Sequence, residues 1–233
     1  MQKAIKEMIR LSNIEEIIKS RHSVRNYLDR IIEENKVDEL NKLISECNQE
    51  GNLHMQLILN DSTAFDNFIL HYGRLKNAKN YIAIVGKKGK NLEVNAGYYG
   101  EKIVLKAQEL GLNTCWVAGT YSKGSVKANI NKDEKIVCII AIGYGENSGG
   151  SRRSKKFEDV SISTDVPEWY KKGIEYALLA PTAINQQKFK FELLDENTVS
   201  IKPGMGTLTK VDMGIVKYHF ELGAGKDNFK WSI

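Results

Sequence analysis

One order of elements is written twice along this chain, and that repetition constrains the fold more than any single motif. Val37, Leu40, Leu43, Ile44 and Cys47 recur at helical spacing, Asn48 to Asn52 interrupts the period, and Leu53, Met55, Leu57 and Leu59 alternate as a strand. From Asp165 the order returns. Asp165 and Glu168 around Pro167 start a helix through Trp169, Ile174, Ala177 and Leu178, a loop covers Ala180 to Gln187, and Phe189 to Leu194 forms a strand. Each half then has a further helix: Asn95-Ala-Gly97 opens one with Tyr99, Ile103, Ala107 and Leu110 on one face, and Asp212-Met-Gly214 opens the other, running to Leu222. Order and spacing predict an internal duplication, with 1–160 as the first half, 161–233 as a shorter second half, and the two intertwined as one unit.

The remaining elements fill in around this frame. Ser12 with Glu15 makes a capping-box start, and Ile14, Ile17 and Ile18 carry a helix into the segment at Arg21. Ala64 to Tyr72 reads as a helix, Tyr81 to Val85 as a buried strand, Thr114 to Val117 as a short strand and Glu134 to Tyr144 as a central one. Gly111 caps the helix from Asn95, and a turn at Asp195 to Asn197 leads into the strand Thr198 to Ile201. Gly143 to Lys156, with Arg152, Arg153, Lys155 and Lys156, reads as a basic loop.

Composition narrows the class. At 42% hydrophobic and 27% charged, a 233-residue chain can bury a full core and falls in the range of globular proteins. The longest apolar run, Ile136 to Ile142, is far short of the ~20 residues that span a bilayer, and the N-terminus has no signal-peptide core, so a soluble, cytoplasmic protein without a membrane partner is expected. Cys47, Cys115 and Cys138 are odd in number and lack a Cys-x-x-Cys pair, which argues for buried thiols and against a disulfide framework or a metal site. The net charge of +5 comes with no aromatic-interleaved basic stripe, so an anionic small ligand is expected rather than nucleic acid.

Such a ligand has an obvious candidate site in Lys19 to Tyr27, where Arg21 and Arg25 flank Ser23. If the backbone turns sharply there, two fork-shaped donors and a hydroxyl converge on one anion, as a phosphate monoester requires. His54, His71 and His219 are isolated and read as packing residues, and Cys115 has no neighbouring base that would make it a nucleophile.

Three segments together resemble the FMN-dependent nitroreductase family, and the resemblance covers most of the chain. Arg21-His22-Ser23-Val24-Arg25-Asn26-Tyr27 is similar to that family's phosphate-binding motif, Asn95 to Thr120 to its long central helix and following strand, and Ala180-Pro181-Thr182-Ala183-Ile184-Asn185-Gln186-Gln187 to its Ala-Pro-Ser-x-x-Asn-x-Gln loop. The closest likeness is to putative nitroreductases with two fused, dimer-like halves. The resemblance implies an α+β fold, three-layered α/β/α with a mainly antiparallel central sheet, built as a pseudo-dimer. It also implies FMN held by Arg21, His22, Ser23 and Arg25, by Arg152 and Arg153 at the phosphate, by Pro181, Thr182, Ala183 and Asn185 along the ribityl chain and ring edge, by the Ala118 and Gly119 amides facing N5, and by Arg74 near the pyrimidine.

One departure matters. Ordinary members carry the Pro-Ser loop shortly after the Arg motif, whereas that slot here holds Asn48-Gln49-Glu50-Gly51-Asn52 and the intact loop lies in the second half. Ordinary members are homodimers that build each flavin site from both subunits; the fused arrangement implies one flavin per chain and a monomer of dimer-like halves, with a homodimer left open. The activity implied is hydride transfer from NADH or NADPH through FMN to a small acceptor such as a nitroaromatic or quinone, with no catalytic side chain required. The alternative is a flavin-binding sensor or storage protein.

Overall fold

The computed structural model describes residues 13–66, 75–151 and 153–232. They form two compact units, one of residues 20–151 and the other of 13–19 with 153–232. The boundary of compaction thus falls at 151/152, whereas the sequence repeat places the second half after 160, and the first helix belongs with the later unit.

The unit of residues 20–151 is organised on a four-stranded sheet in which every neighbouring pair is antiparallel. Its strands are β1 (Gln56–Ile58), β2 (Tyr81–Lys87), β3 (Asn113–Val117) and β4 (Glu134–Gly143), in the spatial order β1-β2-β4-β3. Helices α2 (Glu34–Gly51) and α3 (Leu92–Glu109) cover one face, where Ile82, Ile84, Cys138, Ile140 and Ile142 meet Leu40, Ile44, Ile103 and Val104. The other face presents Tyr81, Ala83, Val85, Cys115, Val117, Ile139 and Ala141, which share a cluster with Val24 and Tyr27. Strand alternation alone would send Ile136 to the same side as Cys138. A bulge intervenes: Ile84 pairs with Cys138 but Val85 with Ile136, so Val137 is the extra residue and Ile136 faces the opposite side.

Two local expectations change here. Asn48 to Asn52 does not interrupt the helix: α2 continues to Gly51, and only Asn52, at φ 49, turns left-handed to end it. Asn48 stays helical because its side chain serves the next segment, accepting from Met55 N–H (2.7 Å) and donating to Met55 O (3.0 Å). Where a helix is expected from Ala64 to Tyr72, the described part of that stretch is a 3₁₀ turn at Thr63–Phe65, and the expected residues 67–72 lie outside the described residues.

In the other unit, α5 (Glu168–Leu179) packs on α6 (Thr209–Ala224), with the short α4 (Phe157–Val160) beside them. The crossing is close because glycines face it: a Cβ on Gly173 would meet the Phe220 ring at 2.6 Å, and one on Gly223 would meet Lys172 O at 2.4 Å. A three-stranded sheet, β5 (Phe189–Leu193), β6 (Thr198–Pro203) and β7 (Lys230–Trp231), pairs antiparallel between β5 and β6 and parallel between β6 and β7. Tyr170, Phe191, Phe220, Phe229 and Trp231 form its aromatic core. Asp195 closes the β5–β6 turn by accepting from the Asn197 and Thr198 amides. Asp165 does not cap α5, however; Pro167 occupies the cap position without a side-chain bond. Helix α1 (residues 13–20) is fastened to α5 by Glu15, which accepts from Lys19, Lys172 and Tyr176, and these hydrogen bonds lower its carboxyl to about 2.

The two units share a spacing. β2, α3 and β3 begin at 81, 92 and 113, and β6, α6 and β7 at 198, 209 and 230, each 117 positions later. β3 runs parallel to β2 with β4 between them, while β7 lies parallel and directly beside β6.

Candidate functional site

The Arg motif is extended rather than sharply turned. Ser23 bridges Thr114 in parallel, the Val24 and Tyr27 amides donate to Thr114 O and Lys76 O at 3.0 Å, and Lys76 N–H donates to Arg25 O at 2.8 Å. Val24 and Tyr27 fill the core beneath, which fixes the segment's rotation and separates its two arginines. Arg25 is exposed, and its side chain has no ion-pair or hydrogen-bond partner among the described residues. Arg21 is 2% exposed.

The environment of Arg21 is unusual. Its Nε lies 3.9 Å from Glu101 Oε1, too far for a hydrogen bond, and Nε and Nη2 are buried without acceptors among the described residues. Glu101, on α3, is itself held by Trp116, whose Nε1 donates to Oε2 at 2.9 Å. Burial lowers the pKa of the Arg21 guanidinium, and Glu101 opposes that shift. A buried guanidinium with idle N–H groups is costly unless an anion completes it. Nearby, burial raises the Cys115 thiol, against the smaller opposing influences of Arg25, Arg21 and a hydrogen bond with Ser23. His22 has its Nδ1 3.0 Å from Ser20 O, and Gly149, at φ +77, fits against it where a Cβ would come within 2.6 Å of His22 Cβ. At the end of β3, Ala118 is half-buried and Gly119 exposed, with open space where its side chain would be.

The second set of residues lies in the other unit, on the loop between α5 and β5. Pro181 is buried, and Thr182 Oγ1 accepts from Gln187 N–H at 3.1 Å. Ile184, Asn185 and Gln187 have φ of 48, 55 and 44. Left-handed backbone is uncommon without glycine and a genuine outlier for β-branched Ile184, so neighbours must hold the loop in shape. Asn185 Nδ2 donates to Arg153 O at 2.7 Å, which ties the basic loop to this one. Gln187, 2% exposed, donates to Leu178 O (2.8 Å) and Ser154 Oγ (3.2 Å), and its Oε1 accepts from Lys155 N–H (2.7 Å). Asp212 accepts from Ala183 N–H (2.9 Å) and Gln186 Nε2 (2.7 Å), and burial raises its carboxyl to about 6.

The expected residues therefore fall into two groups. Arg21, His22, Ser23, Arg25, Ala118 and Gly119 belong to the unit of residues 20–151, while Arg153, Pro181, Thr182, Ala183 and Asn185 belong to the other. Arg74 and Arg152 lie outside the described residues. Gln187, Asp212 and Glu101 were not among the expected site residues. Gln187 had a signal, as the last residue of the Ala-Pro-Thr loop; Glu101 and Asp212 are charges on apolar helix faces, which only burial distinguishes from solvated ones. Cys47, Cys115 and Cys138 are free and buried, as read from the sequence. Among the described residues, no helix is long and apolar enough to cross a membrane and no group of His, Cys, Asp or Glu is placed to hold a metal ion.

A family profile described as "Putative TM nitroreductase" matches residues 13–224, across both units. The chain belongs to this nitroreductase family. A solved structure described as a putative nitroreductase of Thermotoga maritima is 26% identical and superposes with a TM-score of 0.67, covering 92% of this chain and 85% of its own. Two more distant likenesses support the nitroreductase fold. A nitroreductase family protein of Clostridium difficile is 23% identical at TM-score 0.51, over 64% of this chain and 97% of its own. A putative nitroreductase of Desulfovibrio desulfuricans, solved in complex with FMN, is 17% identical at TM-score 0.50, over 66% of this chain and 98% of its own. No curated protein matches the chain.

Proposed function

We propose that this nitroreductase-family chain is an FMN-dependent oxidoreductase that passes electrons from NADH or NADPH to a small acceptor such as a nitroaromatic or quinone. The observation that carries the reading is Arg21: a guanidinium buried with two nitrogens unsatisfied among the described residues, beside Ser23 and four residues from the exposed Arg25, is chemically suited to a phosphate. The strained loop at 182–187, held by hydrogen bonds from Ala183 N–H to Asp212 and from Gln187 N–H to Thr182, suits a group that must be approached by backbone. The FMN complex of the Desulfovibrio relative supports the choice of cofactor.

Arg21, Ser23 and Arg25, with Arg152 or Arg153, would hold the phosphate; Pro181, Thr182, Ala183 and Asn185 would line the ribityl chain and ring edge; Arg74 would stand near the pyrimidine. When bound, FMN supplies two-electron chemistry at N5. The protein's own part is to bind, to orient and, through the Ala118 and Gly119 amides, to place donors toward N5. The protons required come from water, so no catalytic acid or base is assigned.

The constant spacing of 117 between β2-α3-β3 and β6-α6-β7 supports an origin by internal duplication, with β4 and the Arg motif belonging to the first copy alone. The purified protein is expected to be yellow, to release FMN rather than FAD on heating, and to oxidise NADH or NADPH when an artificial acceptor is added. A colourless protein that binds no added FMN would overturn the reading, and flavin retained without any turnover would assign it to binding alone.

A further inference from the structure

Asp212 stands in the first turn of α6, 4% exposed, with no cation among the groups that shift its pKa. An apolar residue of similar size would cost the fold less, because a buried carboxylate is tolerated only where hydrogen bonds compensate it. Both of its oxygens are used on one segment: Oδ1 accepts from Ala183 N–H and Oδ2 from Gln186 Nε2. Gln186 Nε2 also donates to Thr207 O at 2.8 Å, which fixes the direction of its amide. Between these two anchored residues lie Ile184 and Asn185, both left-handed.

From this geometry we infer that Asp212 is the positioning residue of the 182–187 loop, holding it in the strained shape that presents Thr182 and Asn185 to a flavin. The inference rests on the FMN reading above. A second observation bears on it independently. Asn95 stands 117 positions earlier, likewise in the first turn of its helix, and it too reaches back to the C-terminal end of the preceding helix, donating from Nδ2 to Gly51 O, the last residue of α2, at 3.0 Å. The reach is the same and the polarity opposite. Gly51 ends a helix and presents a carbonyl, whereas Ala183 opens a loop and presents an N–H, so an acceptor is needed at 212 and a donor at 95. Asparagine at 212 would set an amide N–H against one of the two donors.

The test is hydrogen exchange read by mass spectrometry on the full chain, together with FMN titration followed by flavin fluorescence, for wild type, Asp212→Asn, Asp212→Ala and Asn95→Ala. Exchange over 182–187 is expected to rise partly in D212N and fully in D212A while α5 and the later turns of α6 stay protected. FMN affinity should fall at least tenfold in D212A and by less in D212N. Asn95→Ala should leave both readouts at 182–187 and at FMN unchanged. Unaltered exchange over 182–187 in D212A overturns the inference, as does raised exchange with FMN affinity within twofold of wild type. Equal weakening by N95A and D212A would mean general destabilisation and overturns it too. Wild-type protein that binds no FMN would instead sink the FMN reading, and exchange alone would then decide whether Asp212 anchors the loop.

Discussion

Arg21 and Arg25 sit four positions apart on one extended segment, yet they will answer differently to removal. The Arg25 side chain is exposed and has no ion pair or hydrogen bond among the described residues, so Arg25→Ala should spare the fold and lose only a charge-assisted contact worth ~1.5–3 kcal/mol, weakening FMN binding roughly ten- to a hundredfold in a fluorescence titration. Arg21 is buried against Glu101, and its loss removes the guanidinium that faces this buried carboxylate. Arg21→Ala should therefore cost ~3–5 kcal/mol of stability in denaturant unfolding as well as affinity. Equal stabilities for the two variants would show that the 3.9 Å pair carries no weight. Asp212 gives a third residue-scale expectation. It is faced by the Ala183 N–H and the Gln186 amide, and burial holds its folded pKa near 6, above the ordinary 3.8. Sign follows from that direction: the ionised form is the penalised one, so its contribution to stability is best below pH 4 and is lost as pH rises through 6. The loop, by contrast, needs the ionised acceptor. FMN affinity should fall as pH drops below 6, and this dependence should disappear in D212N.

At the scale of elements, the two loops that follow α2 and α5 differ in kind. Asn52 merely ends a helix in left-handed conformation, whereas Asn185 ties its loop to Arg153. Asn185→Ala should weaken FMN binding clearly more than Asn52→Ala, and the reverse order by titration would move the site to the first copy. The docking of α1 on α5 gives a pH signature of opposite sign to that of Asp212. Glu15 is held at about 2 by Lys19, Lys172 and Tyr176, below its unfolded value, so its contribution is present above pH 4.5 and lost as pH falls toward 2. Glu15→Gln should lower the melting temperature at pH 7, and its deficit against wild type should vanish near pH 2. Most of these elements were legible from periodicity: β2, α3, β3, β4, α5, β5, β6 and α6 lie where apolar spacing places them. The extension of α2 through Asn48-Gln49-Glu50-Gly51 was not, because polar composition reads as a break until the Asn48–Met55 clamp is seen.

For the whole molecule the decisive quantity is stoichiometry. The Arg motif occurs once and the intact Pro-Thr loop once, so one FMN per polypeptide is expected from the absorbance ratio of loaded protein. Light scattering at nanomolar dilution should find flavin retained by the monomer. Flavin lost in step with dissociation of a dimer would overturn that expectation and return the chain to the ordinary intersubunit arrangement.

The sequence by itself determined the class of fold and the family, because both depend on features written locally: the period of apolar residues, the glycine after a helix, and three contiguous motifs that a family profile spanning 13–224 also matches. It also carries a repeated order of helix, loop and strand, visible once helices and strands are placed. Only the tertiary structure decided that Arg21 is buried while Arg25 is exposed, that Val137 bulges and so reverses which side Ile136 faces, and that Asp212 reaches the Ala183 loop. The physical reason is the same in all three cases. A side chain's burial and partners depend on which distant backbone packs beside it, here Glu101, β2 and the loop at 183, and no local pattern in the sequence carries that information.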